Sequence, residues 1–334
     1  MNESSAEDQR RDEASAADPA RHGSVHDRLT HARDDLEHRV DRARDQFDAT
    51  NERIKKRTGR DLFAAIGVGV LAGIVVLASL LFAKWIFAVL ALGIAGLAVF
   101  ELARALQARG RRIDLIPQLL GSTLILAAAY WLPSAAYWTA LFVALVLIVV
   151  WRTVAQMASP DGRVYASIFS DIIVGCFITL YVPLLASSAL ALLKQPFGER
   201  WVMMFLLLVI VADTGAYASG LMFGKHKLAP RISPGKTWEG SIGAMVVAVV
   251  VGAAAGYFLL DLPWWAGMVI AAPLVVSATL GDLAESMIKR DLGIKDMSSW
   301  LPGHGGVLDR LDSILPSAVV ALALFQLLSP LSGL

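Results

Sequence analysis

The sequence predicts an all-α polytopic membrane protein with about nine transmembrane helices, its N-terminus in the cytoplasm and its C-terminus outside. Three observations carry this. Of the 334 residues, 56% are hydrophobic and the mean hydropathy is +0.58, whereas soluble chains hold roughly 45–50% apolar residues. Nine runs approach the ~20 mostly apolar residues that a helical span needs: 62–82, 85–103, 115–132, 135–151, 168–192, 201–222, 241–260, 264–281 and 314–333. If each crosses once from a cytoplasmic N-terminus, fourteen Lys and Arg of the connections fall on the cytoplasmic side, among them Arg104, Arg109, Arg111, Arg112, Lys225, Lys227, Lys289 and Arg290. Only Lys84, Lys194 and Arg200 fall on the other, the bias that cytoplasmic loops show.

Residues 1–60 read as a cytoplasmic polar extension, and residues 61–334 as the transmembrane domain. Residues 1–61 hold 13 of the 30 Lys and Arg and 15 of the 29 Asp and Glu. The first 24 lack the apolar periodicity that offsets ordering entropy and are expected to be disordered; they also lack the apolar core of a signal peptide. From Val25, apolar residues (Leu29, Ala32, Leu36, Val40, Ala43, Phe47, Ile54) recur mostly every three or four positions, giving a helix with one stripe. A solvated helix explains the stripe better than a coiled coil, since it is short and includes alanines. Lys55, Lys56, Arg57 and Arg60 then abut the first apolar run, where anionic lipid would attract them.

The net charge of +1 says little about partners, because a slightly acidic tail offsets a slightly basic membrane part, but the sequence shows no massed basic footprint for nucleic acid. Cys176 stands alone and excludes an intramolecular disulfide framework or a cysteine zinc site. On the far side, Trp131, Tyr137, Trp138, Trp264 and Trp265 suit an interfacial aromatic belt. Asp213 and Asp171 fall within predicted spans, where an ionisable group is costly and usually faces a cavity or a partner. Asp213, in a setting of small residues, reads as functional. Asp171, near the start of its run, reads as an interfacial or capping residue.

Charge concentrates again between Gly281 and Ser313. Asp282, Glu285 and Lys289 follow i, i+3, i+7 spacing and so share one helical face. Asp309 and Asp312 repeat the carboxylate pairing after the flexible segment Pro302-Gly303-His304-Gly305-Gly306. Hard oxygen ligands of this kind suit Mg²⁺, which takes one or two carboxylates and completes its shell with water and phosphate. Gly305 and Gly306 would let backbone N–H groups approach a phosphate, and Lys289, Arg290, Lys295 and Arg310 supply the opposite charge. Together these point to phosphate chemistry.

A second loop, Gly224–Gly240, carries Lys225, Lys227, Arg231, Ser233, Lys236, Thr237 and Glu239. Its Gly235-Lys236-Thr237 is no P-loop, because Pro230 stands where that pattern needs glycine and no strand precedes it. It reads as a second phosphate grip. The histidines His22, His26, His31, His38, His226 and His304 form no evident metal set.

The run Ser286-Met287-Ile288-Lys289-Arg290, then Lys295-Asp296-Met297-Ser298, then Leu301-Pro302-Gly303-His304-Gly305-Gly306-Val307-Leu308-Asp309-Arg310-Leu311-Asp312 resembles, without departure, the signature of the phosphatidate cytidylyltransferases, or CDP-diacylglycerol synthases. The resemblance reaches back through Asp282 and Glu285 to the Ser233–Gly240 run and Asp213, covering about 200–334, the expected catalytic part. It implies an integral membrane enzyme of phospholipid biosynthesis that joins CTP and phosphatidate into CDP-diacylglycerol and pyrophosphate with Mg²⁺, Asp282 and Asp309 holding the metal. The catalytic set expected on this basis is Asp282, Asp309, Lys289, Arg290, His304 and Arg310. Substrate binding is expected at Asp213, Ser233, Lys236, Thr237, Glu239, Glu285, Lys295, Asp296, Gly305, Gly306 and Asp312. The expected location is a bacterial plasma membrane with the site facing the cytoplasm, and a second copy of the chain is a candidate partner. A CTP-dependent lipid-alcohol kinase shares the nucleotide and the membrane, but the full signature makes it the lesser reading. A transporter would show internal repeats, which the chain lacks.

Overall fold

The computed structural model describes residues 62–158, 162–298 and 305–331; the polar extension with its expected helix, and His304, lie outside the described residues. Apart from the first two, the described residues belong to one compact unit, Ala64–Leu334. The helices are α1 (Leu62–Phe82), α2 (Lys84–Ala108), α3 (Leu115–Trp131), α4 (Ser134–Ala158), α5 (Tyr165–Tyr181), α6 (Pro183–Leu193), α7 (Gly198–Phe223), α8 (Trp238–Leu260), α9 (Trp264–Asp291), α10 (Leu308–Leu311) and α11 (Ile314–Leu328). Between α7 and α8 lies a hairpin of strands β1 (Lys227–Ala229) and β2 (Ser233–Thr237).

Among the described residues, seven helical stretches are long and apolar enough to cross a membrane, and Gly69–Phe82 and Leu115–Trp131 are shorter apolar helices. The chain is thus an all-α polytopic membrane protein. Large apolar side chains stand exposed along its sides, including Phe142, Val250, Phe258 and Leu327; water would not tolerate so much bare apolar surface, and lipid requires it. Trp131, Trp138, Trp264 and Trp265 are exposed as well.

Every run that hydropathy marks is helical, but several boundaries differ from expectation: α2 and α4 run on to Ala108 and Ala158, and three further differences bear on the architecture. The run 168–192 is two helices, because Pro183 lacks the N–H that would continue α5 and instead takes the first position of α6. Helix α9 continues ten residues past the expected end at 281. At 28 residues it is about 42 Å long, beyond a hydrocarbon core of ~30 Å, so its polar last turns need not lie in lipid. The last span is prefaced by α10, with Asp312 and Ser313 between it and α11. The expected loop 224–240 contains the antiparallel hairpin, with Lys227 opposite Thr237 and Ala229 opposite Ser233.

Helix α8 packs along α7 and α9, and α11 packs against α9 and α6. Small residues set these distances, as where a Cβ on Gly256 would come within 2.7 Å of the Gly267 backbone. The core they enclose includes Leu102, Leu190, Leu192, Met204, Phe205, Leu208, Leu260 and Leu274.

Candidate active site

The extended C-terminal turns of α9 bring Asp282, Glu285 and Lys289 to one side of the helix, and the chain returns at α10 to face them. Close approach is possible because residue 281 is glycine: a Cβ there would lie 2.5 Å from Pro316 Cγ and would also strike the Asp312 carbonyl oxygen. The resulting cavity, about 620 Å³, is closed by α7 and the hairpin. Its lining includes Asp213, Asp282, Asp296, Asp309 and Asp312 against Lys236, Lys289 and Arg310, with Ser233, Thr237, Ser241, Thr279 and Ser313 as hydroxyl groups.

Two ion pairs organise it. The Lys236 ammonium lies 2.8 Å from Asp282 Oδ2 and donates to the Thr279 carbonyl at 3.4 Å. The Lys289 ammonium lies 2.9 Å from Asp309 Oδ1 and 3.4 Å from Glu285 Oε1. Asp309 is further fixed by the Met297 and Gly306 N–H groups, which donate to Oδ2 at 3.0 and 2.7 Å. Asp282 Oδ1 accepts from the Ser286 hydroxyl at 3.2 Å. Asp312 Oδ1 accepts from the Ser313 N–H at 2.7 Å.

Of the remaining expected residues, Glu239 and Arg290 hold the hairpin. Glu239 accepts from the Lys225 and His226 N–H groups and lies 2.6 Å from His226 Nδ1, closing the base of the hairpin away from the cavity. Arg290 donates from Nε to the Ile232 carbonyl at 3.2 Å and so ties the hairpin tip to α9. Lys295 is exposed. Gly305, with φ +85°, adopts a conformation that glycine takes without strain and leaves Gly306 N–H aimed at Asp309. Glu285 sits behind the lining, fully buried, and neither of its oxygens has a hydrogen-bond partner among the described residues.

These groups fit a divalent cation. Among the described residues no three His, Cys, Asp or Glu side chains form a ready cage, but Mg²⁺ needs only one or two carboxylates beside substrate phosphate. Five carboxylates against three cations line the cavity, so bound positive charge would relieve their repulsion.

Two results lie outside the sequence expectations. Asp171 caps nothing; it is buried and paired with Arg163 and, at 3.6 Å, with the buried Arg152. Glu101 of α2 is buried and accepts from the Ser298 hydroxyl and the Val307 and Leu308 N–H groups at 2.5, 3.0 and 2.9 Å. The signal for Glu101 is present in the sequence, an acid near the end of the apolar run 85–103, where a charge demands a partner.

Fold and cavity together define a class: a helical membrane protein with a pocket of acids and lysines able to hold phosphate groups beside a cation. Comparison with known proteins specifies it further. Residues 63–328 match the model of the cytidylyltransferase family. The phosphatidate cytidylyltransferase of Mycobacterium leprae is 39% identical over 280 residues, 81% of this chain and 90% of its own. That of Mycobacterium bovis is 38% identical, again over 81% and 90%, and that of Pseudomonas aeruginosa 37% over 63% and 70%. The chain belongs to the cytidylyltransferase family.

Proposed function

We propose that the protein is a phosphatidate cytidylyltransferase, converting CTP and phosphatidate to CDP-diacylglycerol and pyrophosphate. The observation that carries the reading is the cavity in which Lys236–Asp282 and Lys289–Asp309 meet, in a chain whose relatives with that name match over 81% of its length.

A phosphatidate phosphate oxygen attacks the α-phosphorus of CTP, and the bond from that phosphorus to the bridging oxygen breaks as pyrophosphate leaves. A phosphate oxygen is already nucleophilic, so positioning and charge neutralisation dominate. Lys236, Lys289 and Arg310 bind and orient the phosphates, and Ser233 and Thr237 offer hydroxyl donors from the hairpin. Asp282 and Asp309 would hold Mg²⁺, Asp309 through Oδ1, since Oδ2 is taken by two backbone donors. When bound, the ion neutralises phosphate charge and favours the leaving group. Each lysine is paired with an aspartate, so on substrate entry the lysines would turn to phosphate and the freed aspartates would be available to hold the cation, without leaving a bare charge.

The topology proposed with it has nine spans, a cytoplasmic N-terminus and an external C-terminus, with the cavity opening to the cytoplasm of a bacterial cell. Fourteen cations against three in the connections support it. CTP labelled at either end of its triphosphate tests the chemistry. The α-label should enter the lipid fraction and the γ-label leave as pyrophosphate; γ-label in lipid would indicate a kinase and overturn the reading.

A further inference from the structure

Glu101 lies 197 residues before Ser298 in sequence, on a helix that contributes nothing to the cavity lining among the described residues. Its side chain is nonetheless 2% exposed and its two oxygens take three donors, all from the segment that carries Asp309. An acid buried in an apolar helix is costly unless fully hydrogen-bonded, so this arrangement has to return a structural gain. The donors interleave with those of Asp309: Met297 and Gly306 serve Asp309, while Ser298, Val307 and Leu308 serve Glu101. Each carboxylate thereby ties residues 297–298 to residues 306–308.

We propose that Glu101 is a positioning residue for cytidylyl transfer, latching Ser298, Val307 and Leu308 onto α2 so that Asp309 Oδ1 faces the cavity. It acts through the backbone around Asp309 and touches no substrate. A carboxylate is required because it accepts on both oxygens; an amide would set an N–H₂ donor against one of the three donors. Glycine at 306 is the counterpart, since a Cβ there would lie 2.8 Å from Glu101 Oε2.

The latch rests on Asp309 belonging to the transfer site, so the test separates the two. Glu101→Gln, Glu101→Asp, Gly306→Ala and Asp309→Asn are compared with the parent protein for kcat, for KM towards CTP and phosphatidate, for melting temperature, and for amide hydrogen exchange at Val307 and Leu308. Glu101→Gln and Gly306→Ala should lose about tenfold to a hundredfold in kcat, as small misplacements of reacting groups do. KM for phosphatidate should stay within about twofold, exchange should quicken at 307–308 while the long helices stay protected, and Glu101→Asp should fall in between. Wild-type kcat in Glu101→Gln beside an inactive Asp309→Asn would overturn the latch and leave the site standing. Loss of kcat only with faster exchange throughout the helices would also overturn it, as a general loss of folding. If Asp309→Asn keeps full activity, the site assignment fails instead, and slow exchange at 307–308 in Glu101→Gln would then overturn the latch.

Discussion

Asp282 and Asp309 hold equivalent places in the sequence pattern, yet the structure treats them differently. Asp309 is fixed by a lysine and two backbone donors, whereas Asp282 meets a lysine and a hydroxyl. Asp309→Asn should therefore disturb the loop as well as the site, and both Asp→Asn variants should lose at least about a hundredfold in CTP incorporation into lipid, on the scale of a lost electrostatic contact in a preorganised site. Asp171 is the contrast. Removing its charge strands the buried Arg152, so Asp171→Asn should lower stability by about 3 kcal/mol, read from unfolding, while the folded fraction keeps its turnover. The i, i+3, i+7 spacing made Asp282 and Lys289 legible as one face. It placed Glu285 there too, although Glu285 sits behind the cavity wall, a distinction that depends on which neighbour covers it. Glu101 carries a sequence signal, an acid in an apolar run, but its role is not legible there because its partners lie 197 to 207 residues away.

At the scale of elements, α9 and the hairpin decide the geometry. Hydropathy ends the eighth run at 281 because polar residues follow, but the backbone has no reason to stop there: Asp282–Asp291 holds no proline or glycine, and the helix runs until Leu292 and Gly293. Gly281 is the contact on which α9 and the last span close. Gly281→Val should cost about 1–3 kcal/mol through overpacking, seen as a lower melting temperature together with lost activity. The hairpin was legible only as a basic loop, since strands of three and five residues are too short for period-two alternation to register. Its position depends on Arg290 and Glu239. Arg290→Ala should raise KM for CTP more than it lowers kcat, because it frees the hairpin without removing a lining group; steady-state kinetics against CTP would detect this.

For the molecule as a whole, composition and run length were enough to identify an all-α membrane protein, because in lipid only helices and closed barrels pair all the polar backbone groups, and runs of about 20 apolar residues are helical in length. Helix pairing was not legible, since it depends on small residues such as Gly256 and Gly267 meeting across helices. The orientation is open to direct test. In a Cys176→Ser background, Lys227→Cys should react with a membrane-impermeant maleimide only in inverted vesicles, and Asp261→Cys only in intact cells; the reverse pattern would invert the proposed topology. The central claim is that the cavity between α7, α9, α10 and the hairpin carries out cytidylyl transfer to phosphatidate. Pyrophosphate release by the purified, folded protein given CTP and Mg²⁺ tests it most directly. The account predicts release that requires phosphatidate and disappears in Asp282→Asn; release that is absent with phosphatidate, or unchanged in that variant, would contradict it.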